Sequence, residues 1–226
     1  MKQKVLAAVL GALIVFVFSF QATRLSTVHG AGPGYQLGQA VARLGARAET
    51  VVMVVNGEPI TLAAIEVTKT AVMISFEGIS EEEAYREAMR GQLRQQIMQQ
   101  KAREQGITVN PEEVEALLEE ILQNPEQRQF LEDQLRARGK STDLWKNPEI
   151  RQFLKRILTS AKLGMRHREQ GMSPQDVEKL MTSWLRQASI ELRVENLPPA
   201  ARSITLAELI EPRDFPTPPG TPEISQ

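Results

Sequence analysis

Two periods of hydrophobic residues divide this chain. The run VVMVVNGEPIT, Val51 to Thr61, is strongly β-prone and stands ahead of a long series of helical patterns. Far downstream, IELRVE alternates strictly, with Ile190, Leu192 and Val194 on one face and Glu191, Arg193 and Glu195 on the other, which predicts a half-buried strand. Two strands alone are marginal in water, so the pattern predicts a small two-stranded sheet that joins the start and end of a domain and lies against the helices between.

Those helices have start signals and apolar stripes. Thr61 is placed to cap a helix running to about Phe76. Ser80 with Glu83 forms a capping box for a long helix to about Gln105, and Asn110, Pro111 and Glu113 open another. Residues at three-four spacing follow each signal: Val114, Leu117, Leu118, Ile121 and Leu122, then Ile150, Phe153, Leu154, Ile157, Leu158 and Ala161, then Val177, Leu180, Met181, Trp184 and Leu185. Glu126 to Arg138, with Phe130, Leu131 and Leu135, predicts a further short helix ended by Gly139. Ser173 and Pro174 open the last one. The fold class expected is mainly α.

The flanks differ from this core. Lys2 and Lys4 precede an apolar run from Val5 to Phe20, which reads as an export signal. Residues 1–22 approach the span of a bilayer and the small-residue cleavage pattern downstream is poor, so both an uncleaved anchor and a cleaved signal peptide fit. The charge asymmetry places the amino terminus toward the cytoplasm. Residues 23–50 are glycine-rich and read as a flexible spacer, although Gln36 to Arg47 could form a loose helix. The domain is expected over 51–196. Residues 197–226 hold seven prolines and read as a mostly disordered tail, with a helical turn at Leu206 to Ile210.

Charge and composition narrow the chemistry. The 27 basic and 28 acidic residues are interleaved along the helices, so the chain has no footprint for nucleic acid. Cysteine is absent, which removes disulfides, thiolate catalysis, cysteine-based metal sites and a lipid-modified cysteine. Of the two histidines, His29 lies in the spacer. His167 lies near a helix end between Arg166 and Arg168, where a solvated residue is expected. Neither has metal-ligand spacing, no nucleophile elbow or phosphate loop is present, and the acidic runs fall in first helical turns where they oppose the helix dipole. The expectation is no catalytic residue, no metal, no cofactor and no enzyme activity.

Specific residues also have architectural roles. Asn56 and Gly57 tolerate positive φ and end the first strand in a turn, Pro59 stiffens its exit, and Thr61 caps the next helix. Gly106 stops the long helix and Asn110 starts its successor. Asn56-Gly57, Ile60-Thr61, Gln100-Lys101-Ala102, Gly106-Ile107-Thr108-Val109 and Glu112-Glu113-Val114, closed by WLRQASIELRVE from Trp184, together resemble the amino-terminal chaperone domain of the SurA and PrsA type of extracytoplasmic foldase. The resemblance covers Val51 to about Glu195. It implies a helical chaperone-like domain, but the parvulin-type prolyl isomerase domain typical of such foldases has no room between Glu169 and Ser173. Isomerase activity is therefore not implied.

What remains is binding. Methionine adapts to varied apolar partners, and Met73, Phe76, Met89 and Met98 lie on the helices nearest the expected cradle, which makes them the candidate client-binding residues. The expected function is an ATP-independent holdase for unfolded or nascent exported polypeptides. It would sit outside the bacterial cytoplasmic membrane, tethered by its N-terminal helix or secreted, and pass clients to a separate foldase. The alternative is a membrane-tethered interaction module that binds one folded partner or self-associates.

Overall fold

The computed structural model describes residues 32–211. Among them are eight α-helices and one three-stranded antiparallel sheet, so the chain is mainly helical. The expected signal or anchor, residues 1–22, and the far tail, residues 212–226, lie outside the described residues.

The β-prone run is a hairpin rather than one strand. β1 (Val51–Val55) turns through Asn56 and Gly57, at φ 49° and 84°, into β2 (Glu58–Thr61). Positive φ at both central residues of a two-residue loop matches the right-handed twist of the strands. Pro59 therefore sits inside a strand. It is tolerated because β2 is an edge of the sheet, whose order is β2-β1-β3. β3 (Ile190–Leu192) pairs antiparallel with the other side of β1, Met53 opposite Leu192 and Val55 opposite Ile190. The start and end of the domain do meet, but in three strands instead of two.

The alternation that predicted β3 continues three residues too far, to Glu195. After Leu192 the chain enters a 3-10 turn at Val194–Asn196, and Val194 is exposed. The Asn196 side chain donates to the Val51 carbonyl at 2.7 Å, which directs the following residues back under the sheet.

Two further departures concern the flanks. The expected spacer contains α1 (Pro33–Ala42) and a 3-10 turn (Gly45–Glu49), both packed against α2 (Leu62–Ser75). The expected tail begins with ordered chain. Leu197, Ala201, Ile204 and Leu209 are all buried, the last on the short α8 (Leu206–Ile210). Proline ended regular structure here without ending burial, because turns can present apolar side chains inward as well as helices do.

The remaining helices are α3 (Glu81–Glu104), α4 (Pro111–Gln123), α5 (Pro125–Ala137), α6 (Pro148–Glu169) and α7 (Pro174–Gln187). They start where the caps predict: Thr61 accepts from the Ala64 N–H, Ser80 from Glu83 and Ser173 from Asp176. The Glu113 carboxylate accepts from the Asn110 N–H at 2.8 Å. Gly106, at φ 66°, ends α3 while Ile107 N–H bonds back to the Ala102 carbonyl, five residues earlier.

The apolar faces form two cores. One gathers the sheet, α2, α3, α7 and the segment 197–209 around Met53, Leu62, Met89, Leu93 and Leu185. The other gathers α4, α5 and the first half of α6 around Leu117, Leu118, Leu135 and Leu154. Each fully buried leucine contributes about 1.5–3 kcal/mol relative to exposure. Helix α3 packs along both α2 and α6, so it ties the two lobes together.

Candidate functional site

Helix α2 is apolar on more than one face, which asks for more than one partner. Its first turns bury Leu62 and Ile65. Further on, α3 covers one side, with Gly91 placed against the Thr68 methyl and the Gln92 amide donating to Thr68 Oγ1 at 2.7 Å. Helix α1 packs against another part of α2. At the carboxyl end cover is incomplete: Met73 is 42% exposed and Ile74 37%, with Val72, Phe76 and Ile79 half-buried nearby. Met73 and Ile74 are adjacent in the chain, and the other large exposed apolar residues among those described, Trp145 and Val194, are isolated in sequence.

The four residues expected to bind clients therefore separate. Met73 is available and Phe76 partly so. Met89 is fully buried in the first core, so it borders no open surface, and Met98 is half-buried against the same core. The physical reason is that both Met89 and Met98 lie on α3, the helix on which both lobes pack, where nearly every apolar position is consumed.

A polar cluster lies between α2 and α3 that sequence reasoning missed. Lys69 Nζ reaches Glu66 Oε2 at 3.0 Å, Glu81 Oε1 at 3.3 Å and Tyr85 Oη at 3.3 Å, and the Tyr85 hydroxyl donates a short bond to Glu66 Oε1. The ammonium also lies 4.5 Å from the Tyr85 ring centroid. Burial pushes the Tyr85 hydroxyl up to about 12, helped by the hydrogen bond and charge of Glu66 and opposed by Lys69. For Lys69, burial works against the charge, but the hydrogen bond and charge of Glu66 outweigh it and hold the ammonium above its ordinary range. A lysine held protonated and a tyrosine held neutral are poor bases at neutral pH, so the cluster acts as a pin between two helices. The three-residue spacing of Glu66 and Lys69 on α2 was a legible signal; Tyr85 as their partner was not.

The motif residues of the sheet converge on one clasp. Asn56 receives the Ser189 N–H on Oδ1 at 2.8 Å, and its own N–H donates to the Ser189 carbonyl at 2.8 Å. Its Nδ2 donates to Gln100 Oε1 at 2.7 Å, and Gln100 Nε2 donates to the Val55 carbonyl at 2.8 Å. Ile60 is buried under the hairpin. Trp184 packs against the first core and stacks at a tilt on His167, ring centroids 5.7 Å apart. His167 is thus buried, not solvated. Burial, followed by the charge of Arg166, lowers its pKa. It is covered because Trp184 of α7 lies over it.

Buried arginines hold the ordered C-terminal segment. Arg90 donates to the Glu208 carbonyl at 2.5 Å and to Glu87 at 2.6 Å, and Arg86 pairs with Glu82 at 2.7 Å and Glu208 at 3.3 Å. Among the described residues no group of three or more His, Asp or Glu is placed to hold a metal ion, and no helix is long and apolar enough to cross a membrane.

No protein-family model matches this chain, and neither a curated protein nor a solved structure matches it. The class this defines is a mainly helical protein with two apolar cores and a small antiparallel sheet that joins Val51–Thr61 to Ile190–Leu192.

Proposed function

We propose that this protein is an ATP-independent holdase that shields unfolded exported polypeptides by binding them along its helical lobes. The observation that supports this best is the apolar end of α2, where Met73 and Ile74, consecutive in the chain, are both exposed while the other end of the same helix is locked into the core. A flexible thioether beside a branched aliphatic group on a rigid support suits many apolar segments weakly, as a non-selective binder requires. In this reading the chain acts outside the cytoplasmic membrane, held there by residues 1–22 or released, and hands its clients to a separate foldase. It acts by binding alone, without a cofactor.

The test is suppression of aggregation. The full-length protein, mixed near stoichiometric ratio with several unrelated denatured proteins, should reduce light scattering for most of them. Loss of this effect on changing Met73 and Ile74 to glutamine would tie it to α2. A folded protein that leaves every denatured substrate to aggregate would end the proposal.

A second reading draws on Trp145, 42% exposed at the turn between α5 and α6. Exposed tryptophan is a favoured anchor at specific interfaces. The chain would then be an interaction module for one folded partner or for itself, recognised by a saturable native complex and by indifference to denatured proteins.

A further inference from the structure

The exposed apolar end of α2 is set among charges of one sign. Residues 70–85 include no lysine, arginine or histidine, and they carry Glu77, Glu81, Glu82 and Glu83. Met73 and Ile74 lie within that stretch, both exposed. The last turn of α2 holds no basic residue, so the partial negative charge of its carbonyl end, about half an elementary charge, has no cation from the helix itself.

The fold brings these carboxylates around the apolar end. Lys69 and Met73 are one turn apart on α2, and Lys69 Nζ lies 3.3 Å from Glu81 Oε1, so the first turn of α3 stands beside the face that carries Met73. Between the two helices the chain reverses tightly. Gly78 is at φ 81° and the Ile79 N–H donates to the Phe76 carbonyl at 3.3 Å, which leaves Glu77 on the turn between them. Glu77, Glu81, Glu82 and Glu83 are all exposed.

The cations within reach are already engaged. Lys69 is shared between Glu66 and Glu81, and Arg86 between Glu82 and Glu208. Glu83 is bonded to the Ser80 hydroxyl, and Glu77 has no ion-pair partner among the described residues. The positive amino end of α3, again about half a charge, is outnumbered by the three glutamates of its first turn. The surface around Met73 and Ile74 is therefore apolar at its centre and negative at its rim.

We propose that this end of α2, with its glutamate rim, is a docking surface for cationic apolar segments: short stretches of unfolded polypeptide in which aliphatic or aromatic residues are flanked by lysine or arginine. This names the client class of the holdase reading and rests on it. The client's apolar side chains cover Met73, Ile74 and the half-buried Phe76 and Ile79, while its flanking cations meet the carboxylates. Charge decides the partner. An acidic segment sets like charges against the rim and is repelled, and a neutral one gains the apolar contact alone. The same field steers cationic segments inward over a Debye length of about 10 Å at 0.1 M salt.

The experiment measures binding of two fluorescent synthetic peptides to the full-length protein by anisotropy. Both contain the same run of leucine, valine and alanine, flanked by lysines in one and by glutamates in the other. At low salt the lysine peptide should bind about fivefold more tightly, as for two exposed ion pairs, and high salt should abolish the preference. Glu77→Lys, at an exposed turn position outside every helix cap, should reduce the preference, while Met73→Gln with Ile74→Gln should weaken both peptides alike. Equal binding of the two peptides at low salt would overturn the inference and leave the holdase reading standing, and it needs no variant to be read. Binding of neither peptide, with no denatured protein shielded, would remove both. A preference untouched by Glu77→Lys would place the selectivity elsewhere on the chain and overturn the assignment. Salt-sensitive dimers that the lysine peptide dissociates would give the surface to a second copy and overturn it as well.

Discussion

Asn56 Nδ2 donates to Gln100 Oε1 at 2.7 Å, joining the hairpin turn to the long helix across 44 positions of sequence. Because Gln100 also serves the buried Val55 carbonyl and Asn56 also serves Ser189, these two side chains hold β1, α3 and the entry to β3 in one arrangement. Replacing Gln100 by Leu strands a carbonyl and an amide and should cost about 1–3 kcal/mol in urea unfolding at neutral pH. Asn56→Ala should exceed Asn56→Gly, since alanine loses the same bonds and must also adopt a φ of 49°. Native stability in Gln100→Leu would show that the clasp is incidental.

Met73 and Met89 should respond in opposite ways. Met73→Gln, on an exposed position, should change stability by no more than about 0.5 kcal/mol while weakening client binding. Met89→Ala opens a cavity in the first core and should cost about 2–5 kcal/mol. If Met73→Gln leaves aggregation suppression intact, the exposed end of α2 is not the contact.

Tyr85 should titrate late. In a Tyr35→Phe background it is the remaining tyrosine, and ultraviolet absorbance should report ionisation with a midpoint about 12. A raised folded pKa means that the neutral hydroxyl is favoured in the fold, so its stabilisation is complete below about pH 10 and is lost as pH rises toward 12. Lys69, also raised, acts in the same direction. Glu66→Gln removes the charge that raises both groups and should shift the Tyr85 midpoint downward; an unmoved midpoint would contradict the assigned cause.

His167 acts at the other end of the pH scale. Its pKa is lowered by burial and by Arg166, so the unfolded chain binds the proton more readily. Stability should therefore fall as pH drops below the ordinary histidine range near 6.5. His167→Phe, which keeps a ring against Trp184, should flatten the slope between about pH 6.5 and 5 in denaturant titrations. An unchanged slope would assign that acid sensitivity to carboxylates.

The segment after Asn196 should prove indispensable. Ending the chain there would expose the core beneath Leu197, Ile204 and Leu209 and leave Arg86 and Arg90 without Glu208. The loss should reach about 3 kcal/mol or more, read as a lower urea midpoint or failure to accumulate as soluble protein.

Local chemistry was legible wherever one residue type answers one backbone need. The caps at Thr61, Ser80 and Ser173, the Asn56-Gly57 turn and the stop at Gly106 all stand where the sequence places them, because each satisfies backbone groups within a few residues. The helical stripes were likewise readable, since a period of 3.6 needs no partner to be seen. Partner choice was not. That Met89 is core while Met73 is exposed, that His167 meets Trp184, and that Tyr85 closes on Glu66 and Lys69 all depend on which helix lies on which.

The flanks make the same division. Glycine at 34 and 38 read as spacer because glycine is flexible in isolation, yet the fold uses it for its missing Cβ against α5. Proline after Asn196 read as disorder because it ends regular hydrogen bonding, yet the segment is buried by Leu197 and Leu209 and held by two arginines. Sequence by itself determined most of the helices, their caps, the places of β1 and β3 and the mainly helical class, all of which follow from interactions between near neighbours. Only the tertiary structure decided which apolar faces remain open, because exposure is a property of what else has packed nearby, and the chain's linear order does not contain it.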